Sequence, residues 1–202
     1  MRQKQQAEEW DALLCIKTTG RDDSISNQVN FPYEPTDYPV LERLANAGWI
    51  RKNNCLLDYG CGKGRVGFFL SYQTRCRSIG VDYDQRLILC AEENKETAVS
   101  GNRTDFVCEN AVNHRIPPEV DRIYFFNPFS VEVLESVLLK ISDSYYGNPR
   151  EMLLFFYYPS DEYAASLMLE DTLNFVDEIS CEDLFGTGDG RERIMIFQVG
   201  GM

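Results

Sequence analysis

The residues with chemistry to offer gather in one stretch, Cys55 to Leu70, "CLLDYGCGKGRVGFFL". Apolar residues lead into Asp58, and glycines follow at 60, 62, 64 and 67. Glycine at this density marks backbone that comes close to a ligand or takes positive φ. A phosphate-gripping loop needs G-x-x-x-x-G-K-S/T, but here Gly62-Lys63 is followed by Gly64, which has no hydroxyl for Mg²⁺. A dinucleotide loop needs G-x-G-x-x-G. "GKGRVG", Gly62 to Gly67, satisfies it, and Asp82 lies twenty residues beyond Gly62. That register normally sets its first glycine at the end of the strand, whereas here Asp58 ends the strand and Gly60 begins the turn. A third register, Asp58-x-Gly60-x-Gly62-x-Gly64, starts on the aspartate itself.

Other reactive groups are sparse. The seven cysteines (15, 55, 61, 76, 90, 108 and 181) form no C-x-x-C pair, and His114 is the only histidine, so no metal site is expected. The thiols read as reduced and mostly buried. His114, in "NHRIPP", reads as a loop residue without a partner, and Lys63 and Arg65 read as solvent-facing. The net charge of −12 disfavours nucleic acid, which is gripped by Lys and Arg. Between Arg150 and Arg191 there is no Lys or Arg, while ten Asp or Glu fall from Glu151 to Asp189. This reads as a solvated acidic face or as a surface that attracts cationic substrates.

These residues need elements to position them. Residues 3–15 and "TDYPVLERLANAGW" have helical spacing, separated by a polar break. Strands and helices then alternate: "CLLDY", "GRVGFFLSYQ", "RSIGVD", "DQRLILCAEENKETAVSG" ending at Gly101, "TDFVCEN" and "DRIYFFN". "SVEVLESVLLKISDSYY" is a helix, "EMLLFFYY" a central strand, and "SDEYAASLMLE" a helix capped by Ser160. "NFVDEIS" and "ERIMIFQV" read as an antiparallel hairpin, with "FGTGDGR" supplying glycines for a tight reversal. The pattern predicts an α/β three-layer sandwich. Its seven-stranded sheet is mostly parallel, with a C-terminal antiparallel hairpin and an N-terminal helical extension. The expected organisation is an extension or lid over 1–50 and a core over 51–202. No run of eighteen apolar residues and no signal-like segment occurs, so a cytoplasmic protein that does not span a membrane is expected.

The register that starts on Asp58 resembles the first motif of class I S-adenosylmethionine-dependent methyltransferases, and the resemblance runs over roughly residues 36–199. Asp82 ends "SIGVD", Asn110 follows "FVCE", and Asn127-Pro128-Phe129 follows "DRIYFF", each at the end of a strand. The sequence looks most like small bacterial members with unassigned substrates. The resemblance implies S-adenosyl-L-methionine as cofactor and S-adenosyl-L-homocysteine as product. It implies cofactor contacts from Asp58, Gly60, Cys61, Gly62 and Gly64 in the first loop. Asp82 would hold the ribose with Tyr83 near the ring, and Asn110 and Ala111 would meet the adenine. The reaction site would be Asn127, Pro128 and Phe129.

"NPF" is similar to the D/N-P-P-Y/F loop of methyltransferases acting on nitrogen, with one proline where that loop has two. By that likeness Asn127 orients an N–H and Phe129 forms an apolar wall; Asn127 also reads as a cap for the helix that follows. Phe31, Tyr33 or Tyr38 would close the pocket over the sulfonium. The expected acceptor is a small molecule or a basic protein region. The other function classes are an NAD(P)-dependent oxidoreductase, through "GKGRVG", and a binding module that keeps the cofactor site without chemistry.

Overall fold

Neighbouring residues Leu56 and Leu57 point to opposite faces of one strand, and both are fully buried. The strand that carries them therefore lies inside a sheet covered on both sides. The computed structural model describes residues 2–20 and 34–200. Helices α1 (Arg2–Leu14) and α2 (Tyr38–Asn46) precede β1 (Cys55–Tyr59), α3 (Arg65–Thr74), β2 (Arg77–Asp82) and α4 (Gln85–Thr97). A 3₁₀ turn (Gly101–Arg103) leads into β3 (Thr104–Cys108), β4 (Arg122–Phe125), α5 (Val131–Gly147), β5 (Leu153–Tyr157) and α6 (Asp161–Leu169). β6 (Leu173–Ser180), the short α7 (Glu182–Phe185) and β7 (Arg193–Val199) follow.

The seven strands stand in the order β3-β2-β1-β4-β5-β7-β6. β1 to β5 run parallel, while β7 is antiparallel to both β5 and β6. Strand order reverses between β1 and β4, and a crevice at such a point is where α/β sheets bind ligands. One core packs Leu56, Tyr124, Phe155 and Ile196 against Leu41 and Leu44 of α2 and Phe69 of α3. On the other face Leu57, Ile123, Phe125 and Phe156 meet Leu134, Val137, Leu138 and Ile141 of α5. Every second residue of β1 and β4 feeds a different core, so an unbroken apolar run is what this sheet requires.

The N-terminal helices belong to the first core. Trp10 meets Phe69 edge-on at 5.0 Å, and Tyr38 is buried beside both. Tyr38 is therefore not a cover for the pocket: its hydroxyl donates to buried Asp11. Phe31 and Tyr33 lie outside the described residues.

Two expectations at element ends are corrected. α4 stops at Thr97 rather than running to Gly101. Gly101 instead opens the 3₁₀ turn, where a Cβ would lie 2.1 Å from the Lys95 carbonyl oxygen, so only glycine passes there. The β6–β7 connection is not a tight reversal: α7 is built into it, ended by Gly186 in the left-handed region at φ 64°. Among the described residues no helix is long and apolar enough to cross a membrane.

Candidate functional site

The loop after β1 turns left-handed three times, at Gly60 (φ 75°), Gly62 (φ 54°) and Gly64 (φ 86°), which glycine alone does cheaply. The Gly60 amide donates to the Val81 carbonyl at 2.8 Å, tying the loop to the end of β2. A Cβ on Gly60 would lie 2.6 Å from that of Pro128, so the loops after β1 and β4 touch across the point of strand reversal. Asp82, at the end of β2, accepts from the Gly62 amide on Oδ2 and the Asp84 amide on Oδ1, both at 2.9 Å. It thereby sets two loops at once. The cap of α4 is Asp84, which accepts from the Arg86 amide.

A cleft opens above these strand ends. Asp58, Gly60, Cys61 and Asp82 line it, joined by Tyr83, Asn110 and Ala111 on one side. The loop after β4 supplies Asn127, Pro128 and Phe129. Ten of the twelve residues expected at the site thus share one cleft. Gly62 and Gly64 do not line it: Gly62 is spent on Asp82, and Gly64 caps α3 with its Cβ position blocked by Phe106 and Phe68. Those two glycines shape the loop from behind.

The electrostatics centre on Asp58. It is 3 % exposed, and its Oδ2 is sealed from solvent with no hydrogen-bond partner. Burial first, and the charge of Asp82 second, push its pKa up to about 8. Burial also raises Asp82, against the opposing pull of the Asp84 and Gly62 amides. Asn110 directs its Oδ1 to the Val112 amide at 3.1 Å, holding the turn after β3.

Asn127 sits at φ 39°, in the left-handed region, and its Nδ2 donates to the Tyr158 carbonyl at 2.5 Å. Its Oδ1 is buried without a partner. Ser130, not Asn127, occupies the N-cap of α5. Tyr158 is itself left-handed at φ 51°, so the ends of β4 and β5 hold two strained residues tied together. Phe129 differs from expectation. Its ring packs in the core against Phe125 and Tyr59, and its carbonyl accepts from the Tyr163 hydroxyl. Phe126 instead borders both this cleft and the one beside it.

Arg65 and His114 also depart from the sequence reading. Arg65 is not solvent-facing but 3 % exposed. It donates Nε–H to Thr18 Oγ1 at 2.7 Å and Nη1–H to the Thr36 carbonyl at 3.2 Å. Its Nη2 is buried without a hydrogen bond, 3.7 Å from Asp11, and the side chain lines the cleft. His114 has a partner: its Nδ1 lies 2.9 Å from Glu109 Oε2. The missed signal for Arg65 was its position directly after a capping glycine, at the first residue of a helix aimed at the site. A second, larger cleft of about 840 Å³ adjoins the first and shares Glu34, Pro35, Phe126 and Asn127 with it.

Comparison with known proteins bears on the same loop. A family described as "Methyltransferase domain" matches residues 56–144. The chain is 29% identical over 107 residues to ribosomal protein L11 methyltransferase of Chromobacterium violaceum. That match covers 48% of this chain and 35% of the relative, so the chain spans about a third of that protein's length. Among solved structures, a putative methyltransferase, yhhF, from Escherichia coli is similar with TM-score 0.64 and 17% identity, covering 91% of this chain and 100% of that one. A TehB-like SAM-dependent methyltransferase from Corynebacterium glutamicum gives TM-score 0.58 at 19% identity, covering 99% and 98%. An RNA methyltransferase from Salinibacter ruber, solved with S-adenosyl-L-homocysteine, gives 0.54 at 16% identity, covering 84% and 95%. At these identities the structural likeness concerns the fold.

Proposed function

We propose, from the premise that this chain carries a class I S-adenosylmethionine-dependent methyltransferase domain, that it transfers a methyl group by in-line displacement to an acceptor nitrogen presented at Asn127. The observation that carries the reading is Asp58. A buried carboxylate oxygen without a donor, facing a cleft, calls for a cation. The ammonium of the cofactor's amino-acid end answers that need. The methyltransferase-domain match also spans the "GKGRVG" loop on which the dinucleotide reading rests.

The other residues fit the same ligand. The Asp82 oxygens already accept backbone amides, and lone-pair capacity remains for a ribose hydroxyl. Asn110, Ala111 and Tyr83 line the part of the cleft left for the adenine. Arg65 lines the cleft and would lend its charge, shared with Asp11, to the carboxylate. Gly60, Cys61 and Pro128 form the wall between them. S-Adenosylmethionine supplies a methyl group on a sulfonium, open to attack by a lone pair in line with the C–S bond. Asn127 holds the acceptor: its Nδ2 is fixed on Tyr158, leaving Oδ1 to accept an N–H and aim the nitrogen's lone pair. Pro128 and Phe129 keep that loop seated on the sheet. Residues 1–50 act in this reading as an extension that Arg65 ties to the core.

The test is calorimetric titration with S-adenosylhomocysteine, NAD⁺ and NADP⁺ in parallel. Saturable one-to-one binding of S-adenosylhomocysteine alone is the expected result. Binding of a nicotinamide nucleotide alone overturns the assignment. Cofactor binding without methyl transfer to any amine points to a binding module.

A further inference from the structure

The second cleft has a composition of its own. Its walls hold five carboxylates (Glu34, Asp37, Glu132, Glu162 and Glu192) and no Lys, Arg or His among the described residues. Helix geometry accounts for part of this: Glu132 and Glu162 stand in the first turns of α5 and α6, where acids are favoured. It does not account for Asp37 or Glu192. Burial raises both; Arg65 draws Asp37 back and the Tyr157 hydroxyl draws Glu192 back, while Glu34 pushes Asp37 up and Asp189 and Asp37 push Glu192 up. Aromatic residues fill the rest, chiefly Phe126, Tyr157, Tyr158 and Tyr163. The hydroxyls of the three tyrosines are bound to Glu192, Asp189 and the Phe129 carbonyl. Tyr157 and Tyr163 are buried, so the ring surface open to a ligand comes from half-buried Phe126 and Tyr158. Arg191 lies 4.6 Å over the Tyr158 ring, but its charge is matched by Asp189 at 2.7 Å.

Carboxylates among aromatic faces recognise organic ammonium groups. The cleft reaches the first one at Asn127, whose buried Oδ1 lacks a donor. From this we infer that the second cleft is the acceptor site, and that the acceptor is a small organic amine carrying a second positive charge. This rests on the methyltransferase reading above. The distal ammonium sits among the carboxylates and rings, and the reacting amine lies at Asn127. The amine attacks as its neutral form, having released a proton to solvent. Its lone pair forms the N–C bond while the C–S electron pair returns to sulfur. The positive charge thus passes from the sulfonium to the methylated nitrogen. A net-anionic protein draws such an acceptor in.

The experiment titrates cadaverine, spermidine and putrescine, with aminopentanol and glutarate as controls, into protein saturated with S-adenosylhomocysteine. At least one of the first three should bind, and glutarate should not. Aminopentanol should bind at least tenfold more weakly than cadaverine if cadaverine is held. The paired change Glu132→Gln with Glu162→Gln, both exposed, should weaken the diamine about tenfold and leave S-adenosylhomocysteine affinity unchanged. Glu192→Gln should do the same while keeping a partner for Tyr157. With S-adenosylmethionine, mass spectrometry should find a monomethylated amine. Failure of S-adenosylhomocysteine to bind sinks the methyltransferase reading itself. Normal cofactor binding with no affinity for any of the three amines, or with equal affinity for glutarate, overturns the acceptor inference alone. So does methylation confined to a basic peptide.

Discussion

At Asp58 burial disfavours the ionised carboxylate, and neighbouring Asp82 adds to the effect, raising the pKa to about 8. An unfolded aspartate titrates near about 4. The folded, ligand-free protein therefore holds this proton more tightly than the unfolded chain. The group's contribution to stability is greatest below about pH 4 and declines as pH rises toward about 8. An ammonium beside Asp58 reverses the preference and expels the proton. Calorimetry of S-adenosylhomocysteine binding at pH 7, in buffers of different ionisation enthalpy, should show proton release in the wild type and a smaller release in Asp58→Asn. Equal release from both would remove Asp58 from the cofactor's ammonium. At Asn127 the side chain and the backbone have separable roles. Asn127→Gly keeps the left-handed φ but removes the amide, so S-adenosylhomocysteine affinity should hold while turnover drops on the order of a hundredfold. An unchanged turnover on an identified acceptor would leave Asn127 a strut between β4 and β5.

Helix α3 depends on how it begins. Gly64 caps it at φ 86°, and a Cβ there would lie 2.6 Å from the Phe106 ring and 2.9 Å from Phe68. Gly64→Ala should cost on the order of 2–4 kcal/mol, from left-handed strain and overpacking together. Urea denaturation measures it, and a loss under about 0.5 kcal/mol would mean the two rings yield freely. The element pattern was open to sequence reading because each strand and helix advertises its own period. β1 and β2 occupy the segments the pattern marks as strands, Cys55–Tyr59 and Arg77–Asp82. Element ends were less legible. Gly101 looked like a helix stop, but its use is to let the chain pass the Lys95 carbonyl, a contact no local pattern encodes.

On the scale of the whole molecule, the N-terminal helices are held to the first cleft by one buried polar cluster. Asp11 accepts from the Thr18 amide and hydroxyl, both at 2.7 Å, and from the Tyr38 hydroxyl. Arg65 lies beside it, bound to Thr18 and Thr36 and stacked 4.6 Å over the Tyr38 ring. Asp11→Ala leaves the Arg65 guanidinium buried without its counter-charge, which should cost about 3–5 kcal/mol. Because Thr36 and Arg65 both line the cleft, S-adenosylhomocysteine affinity should fall with stability. Thermal unfolding with and without the ligand separates the two effects. Full affinity in a destabilised variant would make the cluster purely structural.

The sequence by itself determined the order of elements, the glycine turn after β1, and the acid or amide at the ends of β1 to β4. These depend on residue type and on neighbours within a few positions: apolar periodicity, positive φ, capping. Only the tertiary structure decided what those residues face. Arg65 passes from an apparent surface charge to a buried one through Thr18, 47 positions away, and Thr36, 29 away. Asn127 becomes a fixed acceptor because Tyr158, 31 positions on, takes its N–H. The anionic second cleft assembles from carboxylates on the N-terminal segment, α5, α6 and the loop before β7. Its charge is visible in the composition, but its concentration at Asn127 is not. Burial and long-range pairing arise only when distant segments meet, and no local pattern carries that information.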